Sequence, residues 1–89
     1  MANKRTLKKA ISAISGELFA ECVAASLYGT ENQKDNADAL LKSIVTMQGD
    51  YLCRVSHPEP GIPAKKYYAG LRESFAAQVG EMIDQINGL

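Results

Sequence analysis

Apolar residues return at steps of three and four along nearly the whole chain, and the pattern breaks in two places. The first is Gly29 with the polar run TENQKDN, residues 30–36. The second is RVSHPEPGIP, residues 54–63, which holds the only histidine and all three prolines. Steps of three and four line one stripe of a helix. No alternating β-rich stretch competes, so the pattern points to an all-α chain.

The spacing predicts helix 1 over about 5–28, with Leu7, Ile11, Ile14, Leu18, Cys22 and Ala25 on its buried stripe and a left-handed Gly29 ending it. Helix 2 is expected over about 36–56, capped by Asp35 or Asn36 and favoured by Asp38 in its first turn. Its stripe is Leu40, Leu41, Ile44, Tyr51, Leu52 and Val55. It stops near Ser56 because His57 precedes Pro58, and the residue before a proline is pushed out of the helical region. Pro63 suits the first turn of helix 3, about 63–87, whose stripe is Tyr68, Leu71, Phe75, Val79, Met82 and Ile86. Gly88 marks a frayed end. Gly49 and Asp50 offer a place where helix 2 can break.

Three rods of similar length on short joints pack most simply as one domain, residues 1–89, an antiparallel up-down-up three-helix bundle. Pairing residues across the joints puts Gly16, Gly49 and Gly70 at one height, a waist where helices approach closely. Gln48 falls in that layer as a buried amide, with Glu17 or Arg72 to satisfy it.

A chain of 89 residues buries a modest fraction of its surface, so a second chain would help it. Phe19, Val23 and Leu27 form an extra apolar stripe on helix 1, well round from the first. They are the candidate interface; the competing reading is a wide buried sector facing two neighbours. Cys53 also lies off the main stripe, in solvent or in that interface.

Lys plus Arg equal Asp plus Glu at 10 each, so no bulk charge draws the chain to nucleic acid or anionic lipid. Lys4, Arg5, Lys8 and Lys9 are the one local cluster, a candidate polyanion contact that reads no base sequence. Cys22 and Cys53 are too few for a disulfide framework, which points to the reducing cytoplasm. The basic start mimics a secretory signal, but Glu17 and Glu21 interrupt the apolar run, and no stretch is expected to reach the length of a membrane span.

His57 with Glu59 is the only pairing that hints at acid-base or metal chemistry, and it lacks the further ligands or nucleophile that either needs. It reads as a helix-terminal residue. Glu17 and Glu21 read as solvated flanks, and Ser43, Ser56 and Ser74 stand in no nucleophile motif. Tyr51, Tyr67 and Tyr68 are expected to bury their rings at the proline joint and keep their hydroxyls wet.

SHPEPG between two amphipathic segments, followed by the closing AAQVGEMIDQINGL, resembles short uncharacterised bacterial proteins predicted to be all helical. The resemblance implies a helical fold and no activity, cofactor or site residue. The expectation is thus a cytoplasmic, non-enzymatic bundle without cofactors, acting as a homodimer or on a protein partner. The alternative is non-specific binding of nucleic acid or an acidic partner by the basic end of helix 1. No membrane partner is expected.

Overall fold

In the computed structural model, which describes residues 4–89, three helices run antiparallel, up-down-up: α1 (Lys4–Tyr28), α2 (Glu31–Ser56) and α3 (Ala64–Asn87). Among the described residues there is no strand. The bundle measures 48 × 19 × 16 Å, and its radius of gyration of 14.7 Å exceeds the roughly 12 Å of a rounder domain of this length.

α2 begins five residues earlier than the apolar pattern alone implies. The cap is Thr30, not Asp35 or Asn36. Its hydroxyl accepts from the Gln33 backbone N–H, and the Gln33 side chain accepts from the Thr30 N–H at 2.7 Å, a reciprocal capping box. Only Gly29 and Thr30 therefore join α1 to α2. Gly29 does not turn left-handed; Gly61, at φ 88°, is the one described residue with positive φ. Glycine is needed at 29 for a different reason, because a Cβ there would stand 2.8 Å from Cβ of Gln33.

The short turn resets the register. Cys22 Sγ donates to the Ala37 carbonyl at 3.4 Å, so facing residue numbers of α1 and α2 sum to about 59, where the expected waist needs about 65. Gly16 then comes level with Ser43, and the three-glycine waist does not form. A Cβ on Gly16, Gly49 or Gly70 would meet nothing within 4 Å, so none of them serves close approach. α2 runs unbroken through Gly49 and Asp50.

α1 buries Ile11, Ser15, Leu18 and Cys22, so its inner stripe passes through Ser15 and leaves Ile14 39% exposed. α2 contributes Ala37, Leu40, Ile44, Met47, Tyr51 and Val55; Met47 takes the inner place, and Gln48 is half-buried. α3 contributes Leu71, Phe75 and Met82. Phe75 meets Tyr51 edge-on with centroids 5.1 Å apart. The α1 and α2 backbones lie closest together, and α3 stands further from both.

At the proline joint, α3 starts after Pro63, which occupies the cap position itself. Tyr67 donates to the Arg54 carbonyl at 2.9 Å and Tyr68 to the Val55 carbonyl at 3.0 Å. These two hydroxyls are not left to water, as tyrosines at a bundle end would suggest. They satisfy carbonyls that the end of a helix leaves without intrahelical donors. The other end is also tied rather than frayed: Gly88 N–H bonds Asp84 O, and Gln33 Nε2 donates to the Leu89 carbonyl at 3.0 Å.

Candidate functional site

The wide buried sector does not exist on α1. Phe19 is 40% and Leu27 68% exposed, with Val23 half-buried between them. On α2, Val45 is 54% exposed. On the outer side of α1 from Ser12 to Tyr28, Ala13, Gly16, Ala20 and Leu27 follow the ridge, with the exposed Glu17 beside them and Glu21 further round toward Ile14.

Contrary to the expectation from its two carboxylates, α1 is long and apolar enough, by length and composition, to cross a membrane, and 22% of that stretch is buried in the bundle. Such a helix also occurs as a signal sequence or as a core helix. Here the physical point is narrower: α1 carries more apolar surface than α2 and α3 cover. The chain exposes 5974 Å², against roughly 5,100 Å² for a compact monomer of its mass.

A second apolar feature carries no signal in the sequence pattern. Between the amino-terminal half of α1 and the middle of α3 lies a groove of about 580 Å³, with Ala10, Ile14, Ala76 and Val79 along it and Arg72 at its edge. It exists because α3 stands off α1.

Charge is segregated along the bundle although it cancels overall. Dividing each helix at its middle, the half with the proline joint holds Lys4, Arg5, Lys8, Lys9, Arg54, Lys65, Lys66 and Arg72 against Asp50, Glu59 and Glu73, a formal +5. The half with the Gly29 turn holds Lys34 and Lys42 against Glu17, Glu21, Glu31, Asp35, Asp38, Glu81 and Asp84, a formal −5. The α1 cluster of Lys4, Arg5, Lys8 and Lys9 surrounds a shallow surface hollow with Ser12. Among the described residues the ion pair is Arg54 with Asp50, 3.0 Å apart, one turn along α2 and half exposed.

His57 is exposed and closes α2 as its C-cap, its backbone N–H bonded to the Cys53 carbonyl. Glu59 lies exposed in the following loop. Cys53 is an exposed thiol, whereas Cys22 is buried, and burial first and the Asp38 charge second push its pKa above the ordinary thiol value. That keeps Cys22 in the protonated, unreactive form. The joint closes α2 through the His57 backbone and the Tyr67 and Tyr68 hydroxyls, and Arg54 and Ile62 line a shallow hollow there with Tyr67 and Leu71.

No protein-family model, no curated protein and no solved structure matches the chain.

Proposed function

We propose that this protein is a non-enzymatic cytoplasmic bundle that works by association, with a second copy as its first partner and the outer side of α1 as the contact. The observation that carries this reading is the exposed apolar pair Phe19 and Leu27 on α1, with Val23 half-buried between them. Contiguous exposed apolar surface is the usual mark of a protein contact. A bundle this small also gains stability from association by mass action. The cytoplasm keeps an exposed thiol such as Cys53 reduced.

Sedimentation equilibrium of the full chain at high micromolar concentration tests this. The expected mass approaches twice 9.6 kDa. A mass that stays at one chain throughout removes self-association.

The gathering of Lys4, Arg5, Lys8 and Lys9 at the +5 end favours a second reading, non-specific binding of a polyanion. The parent should then be retained on a heparin column and the quadruple Gln variant released. Passage of the parent without retention dismisses it.

A further inference from the structure

We propose that the groove between α1 and α3 binds a straight-chain fatty acid of about ten carbons, with its carboxylate on Arg72 and its tail running toward Ile14 and Val79. This goes beyond association through the outer side of α1 and does not depend on it.

Three features of the groove carry the proposal. The first is its size and lining. A volume of about 580 Å³ falls within the roughly 300 to 1,000 Å³ of small-molecule sites. Leu7, Ile14, Phe75 and Val79 supply apolar walls, and the exposed Ala10 and Ala76 are too small to fill the slot.

The second is the way polarity is distributed along it. Thr6 and Arg72 are the two polar residues of the lining, and both lie at the joint end, because α1 and α3 run in the same direction. Among the described residues nothing pairs with the Arg72 side chain. Its guanidinium is a planar fork that can hold a carboxylate through two parallel N–H···O bonds. Lys65 stands on the same side of α3, two turns nearer the joint. At the opposite end the groove opens toward the exposed Glu17, one turn beyond Ile14. An anionic head is drawn to the first end and repelled from the second, so an amphiphile has one orientation. A cationic amphiphile finds no carboxylate in the lining.

The third is length. Thr6 to Ile14 and Leu71 to Val79 each advance about 12 Å at 1.5 Å per residue. An extended chain of single bonds advances about 1.2 Å per bond, so a tail of about ten carbons spans the slot. A longer tail runs out into water and gains little.

Titration of the full chain with sodium decanoate, followed by NMR at the Ile14 and Val79 methyl groups, tests the site. Saturable shifts are expected, with a Kd on the order of 0.1 mM. Octanoate, two methylenes shorter, should bind about tenfold more weakly. Replacing decanoate by decanol, or the parent by Arg72→Gln, should each weaken binding about fivefold. Ala76→Phe, at an exposed position, should fill the slot and abolish binding with helical content by circular dichroism unchanged, and Ala10→Phe on the facing wall should do the same. Absence of any methyl shift at millimolar decanoate overturns the site. Decanol binding as tightly as decanoate, with Arg72→Gln indifferent, overturns the anionic head. Binding that survives both Phe variants places the ligand elsewhere and overturns the groove. A dimeric parent that ignores decanoate and is made monomeric by either Phe variant assigns the groove to a contact between copies instead.

Discussion

The two seams that α1 makes differ in tightness. Against α2, Ile11, Leu18 and Cys22 meet Ala37, Leu40 and Ile44 with almost no exposed surface. Against α3, Ile14 and Val79 border an open groove of about 580 Å³. The joints explain the contrast. A two-residue turn, locked by the Thr30 and Gln33 capping box, allows α2 one position beside α1. The long Pro58–Pro63 connection sets α3 by the Tyr67 and Tyr68 hydroxyls at one end and by Gln33 on Leu89 at the other, both directed at α2. Nothing comparable draws α3 onto α1. Loop chemistry therefore decides which side of an apolar helix is covered and which is left for other contacts.

The largest effect that can break this comparison comes from truncating one residue in each seam. Ile44→Ala, at a fully buried site, should cost about 3 to 4 kcal/mol in chemical denaturation. Val79→Ala should cost about 1 kcal/mol, since its side chain is only partly buried and borders the groove. Equal losses would mean that the groove is closed in solution.

Ser15 sharpens the contrast from the opposite sign. It is 1% exposed, and its hydroxyl has no hydrogen-bond partner. Ser15→Ala should raise stability by about 1 to 2 kcal/mol, because it removes an unsatisfied buried group and adds a better helix former. A loss of stability would show that this hydroxyl is bonded.

The proline joint comes next. Tyr67→Phe and Tyr68→Phe should each cost about 1 kcal/mol, the usual net worth of one such bond. Amide exchange should quicken in the last turn of α2 and leave the Gly29 turn unchanged. The smallest effect is at Gly49, where Ala should add up to about 1 kcal/mol. Destabilisation there would restore the glycine waist.

How much of this was legible in the sequence varies by element. The three stripes and the proline break gave the topology, and Phe19, Val23 and Leu27 were visible as surplus apolar surface. The start of α2 was written as Thr30-x-x-Gln33, a capping signature, but it sits in a polar run whose outward residues carry no apolar stripe. With that run taken as loop, the register moves and the three glycines fall at one height. Ser15 is not legible as a core residue because its hydroxyl argues for the surface, although its small size suits the seam between α1 and α2. The axial charge separation needs the topology first: bases from three distant segments come together only after the chain folds back twice.

Sedimentation velocity of two variants beside the parent tests most directly whether the outer side of α1 is the contact. The Phe19→Glu, Leu27→Glu double variant should keep its helical content and sediment as a monomer at concentrations where the parent is dimeric. Val79→Ser, in the groove, should remain dimeric. A double variant that sediments like the parent would contradict the assignment.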